Sequence, residues 1–329
     1  MVGNNNHNNA CYIGVEVTRG INAGLYKDTG ELVVDLATED YRPAEELSVC
    51  ERILSTIIEI LNCCRVHKNR IRGIGICGDI FFTESRAACL RLNGRELSIV
   101  RAREILEESL KIPTCCDSLA NSLAIAEKQS GSGKQYRNFI YIWYGESISA
   151  GVFVDDRVVA AGGPPDGSLP GVTHTQPGSL GRENCLYSLA ELACPRALIY
   201  KALSIIRQDP GSRMATMMKS RPDVLDPNFI YTAALGGDRA ARQIIVNKNR
   251  HLGLALIDLV KLFDPEVIFW GGCLNAVNYP VLIKSLEQSL AGLGSMLPQV
   301  RMVFPDSGKE RRLWAAAALA MYNTTRVAS

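Results

Sequence analysis

The sequence predicts an α/β fold built from two similar halves, and three observations support this prediction. Two segments share one layout, namely an apolar strand, a polar turn, the pattern Ile-x-Ala-Gly and an acidic hairpin; they are YIGVEVTRGINAGLYKDTGELV at 12–33 and FIYIWYGESISAGVFVDDRVV at 139–159. Farther along the chain, each is followed by a helical pattern that leads into a buried strand. The chain has 329 residues, 47% of them hydrophobic, which is enough for two cores. Alternating strands and helices are typical of open sheets whose central strands run parallel to one another.

The elements of the two halves follow the same order. Each half begins with a hairpin, and the turn residues are Asp28-Thr29-Gly30 in the first and Asp155-Asp156 in the second. Apolar periodicity then predicts a helix from Ala44 to Arg65 before a strand within 70–80. In the second half it predicts a helix from Ala240 to Leu262 before a strand within 264–274.

Composition and charge exclude several classes of protein. The 36 basic and 34 acidic residues nearly cancel, and no Lys/Arg run alternates with aromatic residues, so we expect no nucleic-acid partner and no membrane partner. The first ten residues are polar and Asn-rich, which predicts a disordered tail over residues 1–10 and no signal peptide. We therefore expect a cytoplasmic protein whose eleven cysteines are mostly reduced core thiols.

Ligands of open α/β sheets bind beyond the carboxyl ends of the strands. Five polar or glycine-containing loops follow predicted strands, and we expect the functional residues to lie in them. These loops are at 18–20, 77–80, 115–118, 144–147 and 270–273.

These segments resemble the ROK (repressor, ORF, kinase) family of the actin/hexokinase/Hsp70 superfamily, over almost the whole chain after residue 11. The most specific piece is LGLALIDLVKLFDPEVIFWGG at 252–272, where members typically read Leu-Asp-Pro-Glu-Val-Ile before Gly-Gly. The resemblance implies two ribonuclease-H-like (actin-like ATPase) domains with an interdomain cleft, at 11–121 and 122–310. It also implies a C-terminal helix at 311–329 that packs back on the N-terminal domain, and a homodimer.

The phosphate-binding turns of the family are altered in this chain. The first usually reads Asp-x-Gly-Gly-Thr-Lys, where the Asp serves the metal ion, but this chain has EVTRGI and therefore Glu16. The second usually reads Gly-Thr-Gly-x-Gly, and GESIS keeps only Gly145 and adds a carboxylate that repels phosphate. Gly271 and Gly272 match the Gly-Gly that lies against adenosine, although a tight turn explains them equally well. The candidate cofactor-binding residues are Glu16, Gly145, Gly271 and Gly272.

The turn that should contain the catalytic base lacks it. Family members read Glu-Asn-Asp-Ala-Asn, where the Asp takes the proton from the sugar hydroxyl, and the ungapped match here is Asp-Ser-Leu-Ala-Asn at 117–121. Leu119 stands at the base position, and loss of a general base typically removes about two to four orders of magnitude of rate. We expect Asp117 or Ser118 to be the N-cap of the following helix, and we assign no catalytic residue.

Three residues are candidate sugar contacts by the same resemblance: Asn121, Asn93 and His174. The zinc segment of the family retains only His174 and Cys185, whereas a structural zinc ion requires four ligands. We therefore predict no zinc and no other bound metal.

Together these changes predict a catalytically impaired ROK-family sugar-kinase homologue, or pseudokinase, that binds a sugar-like small molecule or a protein partner in the interdomain cleft. The alternative is an active ATP-dependent kinase of a hexose or amino sugar, with Asp79 or Asp117 as base and Glu16 on magnesium. Only that alternative requires ATP and magnesium, so whether the chain is an enzyme stays open. An architectural subunit is a third reading. The DNA-binding repressor branch is disfavoured because the first family strand begins at residue 11.

Overall fold

The computed structural model describes residues 10–18, 20–38, 48–64, 66–82, 88–92, 95–145, 148–159, 173–175, 186–220, 226–290 and 300–327. The chain divides into two compact units. The first comprises residues 1–135, 158–167 and 306–329, and the second comprises residues 136–157 and 168–305.

The first unit has a five-stranded mixed sheet. Its elements are β1 (Cys11–Val17), β2 (Ile21–Lys27), β3 (Leu32–Thr38), α1 (Val49–Cys64), β4 (Ile71–Gly78), β5 (Ile80–Phe82), β6 (Ala88–Leu92), β7 (Arg95–Ser98), α2 (Ile99–Leu110), β8 (Thr114–Ser118), α3 (Leu119–Ser130) and α10 (Lys309–Val327). The strand order is β3-β2-β1-β4-β8, with β1, β4 and β8 parallel. Strands β5, β6 and β7 form a small antiparallel sheet.

The second unit repeats this sheet. Its elements are β9 (Phe139–Tyr144), β10 (Ile148–Val154), β11 (Arg157–Val158), β12 (Thr173–Thr175), β13 (Leu186–Ser188), α4 (Leu189–Ala193), α5 (Pro195–Gln208), α6 (Arg213–Ser220), α7 (Pro227–Leu235), α8 (Arg239–Phe263), β14 (Val267–Gly272), α9 (Tyr279–Leu290) and β15 (Arg301–Val303). The order β11-β10-β9-β14-β15 matches the first sheet, with a hairpin on one side of a central strand and parallel strands on the other. The predicted internal repeat is therefore confirmed.

The hairpin turns use the predicted residues. Asp155 and Asp156 have φ values of 50° and 64°, and Gly30 has a φ of 87°. The two aspartates form a two-residue loop whose twist matches that of the flanking strands, whereas Gly30 ends a three-residue loop, in which a left-handed last residue is typical. The helix predicted from Ala240 to Leu262 is α8, and the one predicted from Ala44 to Arg65 is α1; residues 44–47 and 65 lie outside the described part of the chain.

Helix α10 packs against β1, β4 and α3 of the first unit. Its four consecutive alanines at 315–318 are fully buried, so the helix approaches the sheet closely. Arg311 forms an ion pair of 2.7 Å with the buried Glu127 of α3 and also donates to Ser130. The domain boundary predicted after residue 121 lies within α3. No described helix combines the length and apolar character that a bilayer crossing requires.

Candidate functional site

The carboxyl ends of β1, β4 and β8 form one edge of the first sheet. Glu16 of β1 is in register with Cys77 of β4, which is in register with Asp117 of β8. Partners in register lie side by side, so two carboxylates flank one thiol at this edge. Burial, with the Glu16 carboxylate nearby, raises the pKa of Cys77 well above its ordinary value, so this thiol stays protonated.

Glu16 is fully buried and its charge is neutralised within the first unit. Its Oε1 accepts from Arg312 Nε at 2.6 Å and from the Thr18 hydroxyl at 3.0 Å. Its Oε2 accepts from Asn22 Nδ2 at 2.9 Å. Arg312 is anchored in turn by a bond from Nη1 to the Ser307 carbonyl at 3.1 Å. Protein donors therefore take three of the roughly four acceptor positions of this carboxylate, and Arg312 already supplies its counter-charge, so the arrangement fits a magnesium ion poorly.

The turn after β8 confirms the predicted helix cap. Ser118 is the N-cap of α3, and its hydroxyl accepts from the Asn121 backbone N–H at 3.2 Å. Asp117 Oδ1 accepts from the Ser118 N–H at 2.6 Å and from Asn121 Nδ2 at 2.8 Å. Asn121 is 2% exposed and Leu119 is fully buried. At this turn, Asp117 therefore orients Asn121, and Leu119 places an apolar side chain at the position that the resemblance assigns to the base.

Two of the three candidate glycines in the second unit have a structural reason for being glycine. Gly145 is buried, and a Cβ there would lie 2.2 Å from Nε1 of Trp143. Gly272 has a φ of +144°, and a Cβ there would lie 2.0 Å from the Tyr144 carbonyl oxygen. Gly271 is buried in β14 in register with Trp143. Whether these residues also contact a cofactor stays a prediction.

Several predicted site residues fall outside the described part of the chain. Asn93 is one of them, since the described residues end at Leu92 and resume at Arg95. The backbone of His174 lies in β12 opposite Tyr187, but its side chain is outside the described atoms, as is all of Cys185. Within the described residues no group of three or more His, Cys, Asp or Glu could hold a metal ion.

Two charged residues were missed by sequence reasoning. Arg312 is 296 positions from Glu16, and no local pattern connects the two. Lys248 lies in the second unit, 2% exposed, with its Nζ 2.7 Å from the Tyr231 hydroxyl and 3.3 Å from the Tyr144 hydroxyl. A signal existed for Lys248, because it occupies a position in the apolar stripe of α8 that also contains Ile244 and Leu252.

Comparison with known proteins places the chain in a family. The model of the ROK family matches residues 12–322. The DNA-binding transcriptional repressor Mlc of Escherichia coli is 24% identical over 326 residues, which are 95% of this chain and 76% of Mlc. A glucokinase of Streptomyces coelicolor is 26% identical over 287 residues, 82% of this chain and 86% of that protein. Some other curated relatives are longer, and the chain spans about half of their length.

Solved structures show the same fold. A ROK family glucokinase from Streptomyces griseus, in complex with glucose and AMPPNP, superimposes with a TM-score of 0.69 at 20% identity, covering 95% of this chain and 100% of that one. This likeness confirms the predicted actin-like ATPase fold. With the family match over nearly its whole length, the chain belongs to the ROK family and is a homologue of its sugar kinases and repressors.

Proposed function

We propose that this chain is a ROK-family homologue that does not transfer a phosphoryl group to a sugar and instead binds a sugar-like small molecule. The ion pair between Glu16 and Arg312, 2.6 Å long and with a fully buried carboxylate, is the observation that most supports this proposal. Phosphoryl transfer depends on metal ions that neutralise developing charge. Here a guanidinium already neutralises the carboxylate that the family resemblance assigns to the metal.

The base position supports the same proposal. Leu119 cannot accept a proton, and its side chain is fully buried at the start of α3. Asp117 is the nearest carboxylate along the chain, but its Oδ1 already accepts from Ser118 and Asn121. A carboxylate in this arrangement suits the positioning of an amide better than the removal of a proton from a hydroxyl.

The proposed ligand class rests on relatives and on the polar character of this turn. The S. griseus glucokinase is a complex with glucose, and Asp117 and Asn121 provide a carboxylate and an amide of the kind that bind hydroxyl groups. A protein partner is the other class of ligand that is compatible with a site that does not catalyse phosphoryl transfer.

A coupled ATP-consumption assay over hexoses, amino sugars and N-acetyl sugars tests the proposal. We expect no sugar-dependent turnover, together with a rise in melting temperature for at least one sugar, because a ligand that binds only the native state stabilises it. If no sugar raises the melting temperature, a protein partner or an architectural subunit would be favoured.

The alternative is an active sugar kinase with a rearranged site. Asp117 favours it, because this residue is half-buried at the carboxyl end of β8, next to Asn121. Sugar-dependent ATP turnover that disappears in Asp117→Asn or Asp79→Asn, but persists in the exposed-turn control Asp28→Asn, would establish this alternative and refute the proposal.

The absence of a nucleic-acid partner, the homodimer and the cytoplasmic location stay predictions. The relative Mlc is a DNA-binding repressor. Fluorescence anisotropy with labelled duplex DNA therefore tests directly whether this chain binds DNA. Analytical ultracentrifugation measures the oligomeric state.

A further inference from the structure

Lys248, in the middle of α8, has a buried ammonium group with aromatic rather than acidic neighbours. Its Nζ donates to the Tyr231 and Tyr144 hydroxyls and lies 4.6 Å from the Tyr144 ring centroid and 5.4 Å from the Tyr231 ring centroid. Among the described residues no carboxylate forms an ion pair with it. Two phenol groups, and not a carboxylate, therefore form the hydrogen bonds of this amine.

The titratable groups around the amine come from four elements. Tyr144 belongs to β9, Tyr231 to α7, Cys273 to the loop after β14, and Cys194 caps α5 close to Tyr144. Helices α4 and α9 also pack on α8 but give Nζ no hydrogen bond within the described residues. Burial lowers the pKa of Lys248 to about 7 and raises the pKa values of both tyrosines well above their ordinary range. The amine therefore changes charge near neutral pH while the phenols stay protonated.

Tyr144 connects this amine to both glycine turns of the second unit. It is the last residue of β9 and directly precedes Gly145. The Tyr144 carbonyl accepts a hydrogen bond from the Cys273 N–H at 2.9 Å. Tyr144 is also in register with Gly272, where a Cβ would clash with the same carbonyl oxygen. The residue whose ring contacts the amine therefore also contributes its backbone to both turns.

We propose that Lys248 is a positioning residue whose proton controls how firmly Tyr144, and with it the turns at 145 and at 271–273, is held. The charged amine is attracted to the face of the Tyr144 ring, whereas the neutral amine keeps two hydrogens for the two hydroxyls but loses this cation–π attraction. Loss of the proton therefore loosens Tyr144. Any ligand that contacts these turns then binds in a pH-dependent way, whether or not the chain transfers phosphate.

Hydrogen exchange of the backbone amides, corrected for intrinsic rates, tests this inference. Between about pH 6 and about pH 8.5 we expect the protection of Cys273 N–H to fall at least about threefold in the wild-type chain, as expected for a local opening. Lys248→Met should abolish this dependence, and Lys261→Met, an exposed lysine on the same helix, should leave it intact.

The direction of the change separates this role from a merely structural one. A buried lysine that loses its proton makes the whole fold more stable as pH rises, so general stabilisation would raise protection at Cys273 rather than lower it. If Lys248→Met fails to fold, Tyr231→Phe removes the 2.7 Å partner while keeping the ring, and it should reduce the pH dependence. An equal pH dependence in the wild type and in these variants, or protection that rises with pH, would overturn the proposal.

Discussion

Replacing Arg312 with alanine should destabilise the first unit more than deletion of an exposed ion pair does, because Glu16 would lose its counter-charge in a fully buried position. Breaking a buried pair by removing one partner costs about 3–5 kcal/mol. The Arg312 side chain is 23% exposed, so water reaches part of the pair and we expect about 2–4 kcal/mol. The bonds from Thr18 and Asn22 remain and prevent a larger loss.

Urea denaturation at constant m-value measures this cost. The matched control is Arg101→Ala, which removes an exposed pair of 3.4 Å with Glu104 and should cost less than about 1 kcal/mol. The double variant Glu16→Gln/Arg312→Met removes both charges and should recover much of the stability, since two neutral side chains carry no unpaired charge.

Two results would refute this reasoning. One is a cost for Arg312→Ala no larger than that of Arg101→Ala. The other is a double variant as unstable as the single one, since the loss would then come from packing rather than from the stranded carboxylate.

Three other substitutions follow from the described contacts. Lys248→Met should remove a pH dependence of stability: the folded pKa is about 7 against 10.5 for an ordinary lysine, so the unfolded chain binds more protons in that window. The wild-type free energy of unfolding, relative to the variant, should then rise by about 1.4 kcal/mol per unit from about pH 7 to about pH 10, and a flat difference would contradict the burial of a titrating amine. Gly272→Ala should cost more than about 2 kcal/mol, because strain adds to a Cβ 2.0 Å from the Tyr144 carbonyl, whereas Gly237→Ala, at φ +98° with nothing within 4 Å, should cost only the strain of about 1–2 kcal/mol. Ser118→Ala should lower stability by about 1 kcal/mol through loss of the α3 cap, and an unchanged melting temperature would show that Asp117 alone suffices there.

Local patterns predicted the parts of this fold that local physics determines. The duplicated hairpin, the turn residues with positive φ and the long apolar period of α8 all depend on neighbours within a few residues, and all are confirmed. The capping role of Ser118 is of the same kind.

The sequence could not predict which residue neutralises the Glu16 carboxylate of the candidate site. Glu16 could be identified as a substitution, but its partner comes from the start of α10, and only the folded sheet brings the two together. Lys248 could be noticed as a charge within an apolar stripe, yet its partners belong to β9 and α7, which are far away in the chain. The sequence therefore identified where the family pattern changes and not which residue compensates.

A single back-substitution should not restore phosphoryl transfer if the proposed function is right. Leu119→Asp supplies a carboxylate at the position that the family resemblance assigns to the base, but Glu16 remains bound to Arg312, so the carboxylate that the same resemblance assigns to the metal is still neutralised. The new aspartate would replace a fully buried leucine, and we expect a loss of several kcal/mol of stability, of order 3 or more, from the cavity and the buried charge. The coupled ATP assay with the sugar panel should therefore stay at background for Leu119→Asp. Turnover above background in this variant alone would mean that position 119 is the only barrier to catalysis, and that the Glu16–Arg312 pair is compatible with a working kinase site.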